Sequence, residues 1–442
     1  MMRVLPIAML TAWVILASAA CFGSSGDDEE DQLPELTLFP SDTVDRLHEI
    51  RDRVSEIRGL PVNDKVREGT MATEALRQYS QDQWAALEDE DVDDVEVGEG
   101  LLKLLGLIPA DYSIQEDYAS DSSDLVGGFY DPETEQLVVI SEGGELSMAD
   151  EITLAHEYTH SLQDGEFDLE AFIEAWTEAT AEDDGYSSYR ETLRCLFEGD
   201  AVLTQILYAE AVFGADWQTL LQAEAAASGA TDVEFNLPPF LLRSIAFSYN
   251  ECATFVRTLY DEGGWDAVNA AYVNPPATTE QVLHPEKYRS GELASGPKPE
   301  GLGELLEGWS APNEAGGQFG EYDIFNYFVT RTGDANSAII AAQGWGAGWI
   351  SGYRDDTDES RLVAHVAFSF DSAQDQLEFL GAFGAVLGSY GVNPASLTAG
   401  DTVRWNAPNE FGKFGAVIVD NVRAKVDIRI ATDEAALVAV LP

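Results

Sequence analysis

Basic residues are scarce in this chain: 24 Lys and Arg stand against 80 Asp and Glu in 442 residues, a formal charge of −56. Such a surface repels phosphate, which excludes nucleic acid and anionic lipid as partners, and its self-repulsion costs stability unless salt screens it. Acidic residues are spread along the chain as well as clustered in Asp27 to Asp31 and Glu88 to Glu96, so a saline habitat is the expectation. Cysteine is rarer still, with three residues and no C-x-x-C pair, which argues against a thiolate zinc site. No internal repeat stands out. At 45% hydrophobic, the chain has enough apolar material for sizeable cores, and its length exceeds one typical domain.

Histidine is also sparse, with only five residues, yet two of them fall in His156-Glu157-Tyr158-Thr159-His160. A chance H-E-x-x-H in so histidine-poor a chain is expected with a frequency on the order of 0.005. Residues four apart on an α-helix share one face, so both imidazoles can reach one metal ion. Zinc takes neutral imidazole nitrogens and, in catalytic sites, keeps one position open for water. A carboxylate at Glu157 can then take a proton from that water and pass it to a leaving amine. This is the minimal machinery for peptide hydrolysis.

The helix is supported independently: Ser147 followed by Asp150 reads as an N-cap with an acidic partner, and Gly165 as a stop, predicting a helix from about Met148 to Asp164. Ahead of it, Leu125 to Tyr130 and Gln136 to Ser141 read as strands joined by the turn Asp131-Pro132-Glu133-Thr134. A third ligand is expected from a later helix, Ser187 to Phe213, where Glu198 is followed by Gly199, which leaves room for close helix approach. Glu191, Asp200 and Glu174 compete with it. Glu198 and Asp200 point to different helix faces and are not expected to share an ion.

His156-Glu157-x-x-His160 with Glu198-Gly199-x-Ala201 resembles the gluzincin branch of the zincin metallopeptidases, whose third ligand is the glutamate of such an E-G-x-A element. The resemblance implies one zinc ion on His156, His160 and Glu198, a peptide or protein substrate, and endopeptidase action. It extends over roughly residues 55 to 290, including Ser248-Tyr249, Cys252, Phe255-Val256-Arg257, Leu259 and Gly263-Gly264-Trp265, which are similar to the helix after the ligand glutamate. The hairpin resembles the active-site sheet of those enzymes, whose edge strand holds an extended substrate. The G-x-M-E-N element of the aminopeptidase subgroup has no counterpart. Zincins usually supply a Tyr or His donor to the oxyanion. Tyr249, which the resemblance puts near the metal, and His284, in a loop-like segment after Pro275-Pro276, are the candidates. Both also have plain readings, Tyr249 as core and His284 as a turn cap. His48 and His365 look structural, His365 lying on the polar side of an alternating strand.

Met1 to Ala20 reads as a secretory signal, and Leu16-Ala17-Ser18-Ala19-Ala20-Cys21 resembles a bacterial lipobox, with Ser18 as a departure. Lipidation of Cys21, facing outside the cytoplasm, is the expectation, with plain secretion as the alternative. Cys195 and Cys252 are then either a disulfide or two buried thiols. The expected organisation is a signal peptide at 1–20, a lipidated cysteine and acidic tether at 21–40, a zincin-like peptidase domain at 41–300, and a smaller α+β domain at 301–442. Residues 41 to 60 are candidates to cover a cleft in a latent form. The boundary rests on the Gly- and Pro-rich stretch Ser290 to Gly317. Beyond it, strands are expected at Trp349–Tyr353, Leu362–Phe370, Thr402–Trp405, Gly415–Asp420 and Ala424–Ile430, with helices at Ala373–Leu387 and Asp433–Ala439. Trp345, Trp349 and Tyr353 are read as core before glycan platform. The fold class is α+β.

Overall fold

The computed structural model describes residues 33–441 except 35, 86–88, 124, 142–145, 170, 174–188, 229–235, 295–300, 303–304, 312–315, 394, 396, 398–401 and 408–412. The signal segment, Cys21, the acidic tether and Glu174 lie outside the described residues. No described helix is long and apolar enough to cross a membrane.

The protein is α+β, with two sheets. The first has strands β1 (Thr37–Leu38), β2 (Arg67–Met71), β3 (Gly128–Asp131) and β4 (Gln136–Ile140), in the order β1-β2-β4-β3. Helix α1 (Val44–Arg58) precedes β2, and α2 (Thr73–Ala85) and α3 (Asp89–Leu105) follow it. β2 runs parallel to β4, and β3 returns antiparallel to β4 as the expected hairpin. Alternation sorts the side chains: Tyr130, Leu137 and Val139 face one core, whereas Phe129, Val138 and Met71 face another.

Helix α4 (Met148–Phe167) follows the hairpin, then α5 (Tyr189–Phe213), α6 (Trp217–Ser228), α7 (Pro239–Val273), α8 (Thr279–Leu283) and α9 (Pro285–Ser290). α4 begins where expected, in a full capping box: Ser147 Oγ accepts from the Asp150 amide and the Asp150 carboxylate from the Ser147 amide. It does not stop at Gly165 but runs on to Phe167, and Asp168 closes it in the left-handed region at φ 54°. Gly165 therefore has no capping role; Asp168 adopts the positive φ that the αL cap requires. α7 turns at Gly263 and Gly264, the latter at φ 64°.

Leu47, Ile50 and Val54 of α1 recur at helical spacing and pack on Ala155, Tyr158 and Leu162 of α4. On a 3.6-residue helix these lie across from His156 and His160. Residues 41 to 60 thus buttress the back of α4 and do not cover the metal face.

The second sheet has strands β5 (Trp309–Ser310), β6 (Gly316–Gln318), β7 (Trp345–Asp355), β8 (Asp358–Phe370), β9 (Val403–Ala407), β10 (Lys413–Asp420) and β11 (Lys425–Ala431). Its order is β5-β7-β8-β11-β10-β9, with β6 also on β7, all antiparallel. Helices α10 (Glu321–Thr332), α11 (Ala335–Ala342), α12 (Ala373–Gly388) and α13 (Glu434–Ala439) accompany it. All five expected strands and both expected helices are present, within a few residues. Trp345, Trp349 and Tyr353 are buried, as core residues are.

The expected cut at residue 300 does not separate two cores. Val97, Leu101 and Leu104 of α3 and Phe240 of α7 share a cluster with Phe368, Phe379, Val417 and Ile428. Gly352 permits this contact, since a Cβ there would lie 2.5 Å from Val97. α7 and α10 are also joined by polar contacts, Arg243 Nε to Asn326 Oδ1 at 2.7 Å and Tyr322 OH to Arg243 O at 2.7 Å. His365 is buried, contrary to a solvated face, because it pairs across strands with Asp427 at 3.1 Å.

Candidate metal centre

α4 presents His156, Glu157 and His160, and α5 presents Glu198; all four are 0 to 1% exposed. α5 packs closely on α7 at the level of Glu198 because of Gly199, where a Cβ would lie 2.5 Å from the carbonyl oxygen of Cys252 on α7. A Cys195–Cys252 disulfide joins α5 to α7 at the same level, which decides the thiol question in favour of the bridge.

The three ligand atoms form a small triangle. His156 Nε2 lies 3.2 Å from Glu198 Oε2, His160 Nε2 lies 3.6 Å from the same oxygen, and the two Nε2 atoms are 3.1 Å apart. The edge of a zinc tetrahedron with bonds of about 2.05 Å is about 3.3 Å. The donor set and its spacing fit zinc. Of the competing carboxylates, Asp200 turns away to Arg58 (2.7 Å) and Tyr272 (2.8 Å). Glu191 is held protonated up to about 8 by burial and then by Asp323. Neither joins the triangle.

Two residues the sequence did not single out sit behind the histidines. His156 Nδ1 is 2.9 Å from Gln205 Oε1, and His160 Nδ1 is 2.9 Å from Gln163 Oε1. Helical spacing was the only available signal: Gln163 follows His160 by three positions and Gln205 follows Glu198 by seven.

Burial disfavours charge throughout the site. It lowers the His156 pKa, with Glu198 pulling the other way. For His160 and Glu198 burial is outweighed by their mutual attraction, which raises His160 to about 9 and holds Glu198 down to about 2. Glu157 is pushed up to about 8 by burial, partly opposed by His160. Neither oxygen of Glu157 has a hydrogen-bond partner of full geometry among the described residues; the Tyr130 backbone exerts only a small lowering pull.

β3 lies over this carboxylate. A Cβ on Gly128 would sit 2.7 Å from Val138 O and 2.8 Å from Thr153 Cγ2 of α4, with Glu157 Cγ in ordinary contact at 3.4 Å, so only a residue without a side chain lets the strand approach α4 this closely. Among the described residues β3 pairs only with β4. Ile140 N–H donates to Gly127 O, and Phe129 faces Val138. The alternation turns the peptide groups of Gly128 and Tyr130 away from β4, and the Tyr130 backbone is directed at Glu157.

Tyr249 is brought to the site, its ring 6.1 Å from that of His156. His284 is engaged elsewhere, with Nε2 3.0 Å from Glu321 Oε1 on α10 and Nδ1 3.7 Å from Glu286. His48 is exposed on α1.

Residues 310–441 match the family model described as a domain of unknown function (DUF8575), a stretch that coincides with the second sheet and its helices. No curated protein and no solved structure matches the chain.

Proposed function

We propose that this chain is an extracytoplasmic zinc metallopeptidase of gluzincin type, with His156, His160 and Glu198 as metal ligands and Glu157 as general base and acid. The observation that carries the reading is the triangle of donor atoms with edges of 3.1, 3.2 and 3.6 Å beside a buried carboxylate with no hydrogen-bond partner of full geometry among the described residues. Bound zinc supplies polarisation of water and of the scissile carbonyl.

The chain's own groups do the rest. Glu157, raised to about 8, has a proton affinity near neutrality, so its carboxylate can take a proton and return it to the leaving amine. The edge of β3 turned away from β4 offers the peptide group of Gly128 to an extended substrate, which holds the scissile bond near Glu157. Of the two oxyanion candidates, Tyr249 stands beside His156 and is the one assigned.

A catalytically inactive scaffold is the competing reading. Leaving a buried carboxylate unsatisfied costs about 1–3 kcal/mol or more, and a scaffold draws no benefit from that cost. The Cys195–Cys252 bridge supports an oxidising compartment, and with it export; lipid anchoring at Cys21 is proposed from the lipobox-like segment before it.

The test is Glu157→Gln on the full chain. Zinc content is expected to be unchanged while cleavage of a quenched peptide falls by at least about 100-fold. Undiminished cleavage would overturn the assigned mechanism, and a wild-type chain without zinc would overturn the class.

A further inference from the structure

Gln163 makes two contacts that belong to different ligands. Its Oε1 lies 2.9 Å from His160 Nδ1, and its Nε2 donates to Phe197 O at 3.1 Å. Phe197 is the residue immediately before Glu198 on α5. The carbonyl of Phe197 can only accept, so the amide NH2 must face it and Oε1 must face the imidazole. His160 Nδ1 must then carry the proton. In the neutral imidazole that a metal requires, this fixes the tautomer whose Nε2 lone pair is free for an ion shared with Glu198.

Gln205 treats His156 in the same way from α5, with Oε1 2.9 Å from Nδ1. Each histidine ligand on α4 is thus set by an amide oxygen. One of these amides also ties α4 to the backbone beside the third ligand. Both side chains are buried, at 0 and 1% exposure, so solvent cannot substitute for either.

Resting on the zinc reading, we infer that Gln163 and Gln205 are positioning residues for the metal, and that Gln163 couples the His160 ligand to the Glu198 ligand across two helices. The two amides are not equivalent. At position 205 a carboxylate can replace the amide oxygen as the acceptor and makes the imidazole a stronger donor to the metal. At position 163 a carboxylate loses the N–H donor and sets an oxygen against the Phe197 carbonyl.

The experiment is zinc affinity of the full chain, measured by competition with a chromogenic chelator, for Gln163→Glu, Gln163→Met, Gln205→Glu and Gln205→Met. Both methionine variants and Gln163→Glu are expected to lose about 10- to 100-fold in affinity, whereas Gln205→Glu keeps or exceeds wild-type affinity. Rescue by glutamate at 205 but not at 163 is a pattern that loss of packing alone does not produce. Melting curves with excess chelator separate misfolded variants, and the near-isosteric glutamate pair keeps the comparison decisive should a methionine variant unfold. Four variants with wild-type affinity, or equal behaviour of the two glutamates, would overturn the inference while leaving the peptidase reading intact. A wild-type chain that takes up no zinc would remove both.

Discussion

Arg58 and Asp200 form a fully buried ion pair, Nε to Oδ1 at 2.7 Å, two positions beyond the proposed ligand Glu198. Arg58 closes α1 and also reaches Asn269 Oδ1 at 2.6 Å and stacks over Trp265 at 4.4 Å, while Tyr272 OH donates to the second Asp200 oxygen. The pair fastens α1 and α7 to the side of α5 that faces away from the metal.

Removing one partner leaves a buried charge alone. Arg58→Ala is therefore expected to destabilise the fold by about 3–5 kcal/mol, read as a lowered midpoint in urea. Arg58→Met combined with Asp200→Leu should recover most of that loss. A single variant as stable as wild type would show that the pair contributes nothing.

In a solvated helix, Gly→Ala stabilises by about 1 kcal/mol. At Gly199 the sign should reverse, because the new Cβ would lie 2.5 Å from a backbone oxygen of α7 that is held by the disulfide. Gly199→Ala is expected to cost about 1–3 kcal/mol and to weaken zinc binding by displacing Glu198. Thermal melting and metal titration on the same preparation check both outcomes.

The join between α8, α9 and α10 is expected to weaken as pH rises. Hydrogen bonding to Glu321 raises the His284 pKa above 6.5, so its contribution is complete below pH 6.5 and is lost as pH rises through the higher folded value. Burial raises Glu280 from 4.5 to about 7, so stability also falls between those values as the unfolded chain ionises first. His284→Gln should lower the melting temperature at about pH 6 and have a much smaller effect at about pH 9. An equal effect at both would exclude the ion pair as the cause.

With a formal charge of −56, self-repulsion should make stability depend on salt. The melting temperature is expected to rise from low to molar sodium chloride. A fall over that range would remove the saline-habitat reading.

Much of the site was legible because its signals are local. His156, Glu157 and His160 share one helix, the Ser147 cap lies within one turn of its partner, and each strand of the second sheet carries its own alternation. Gly199 announced a close approach without naming the Cys252 carbonyl as the neighbour. Gln163 and Gln205 were illegible because a neutral glutamine acquires meaning only when an imidazole faces it. The capping role of Asp168 was hidden by a nearer and more usual stopper at Gly165. His284 looked catalytic from its loop, but its partner Glu321 is 37 positions away.

By itself, the sequence determined which groups can hold a metal, on which helix, and where the hairpin and the five longer strands of the second sheet run, since those depend on spacing of a few residues along one element; β1, β2, β5 and β6 were not legible. Only the tertiary structure decided that Glu198 and not Glu191 or Asp200 completes the triangle, that the cysteines are bridged, and that α3 belongs to the core of the second sheet. Those outcomes depend on which faces of distant helices pack together, and chain spacing carries no record of that.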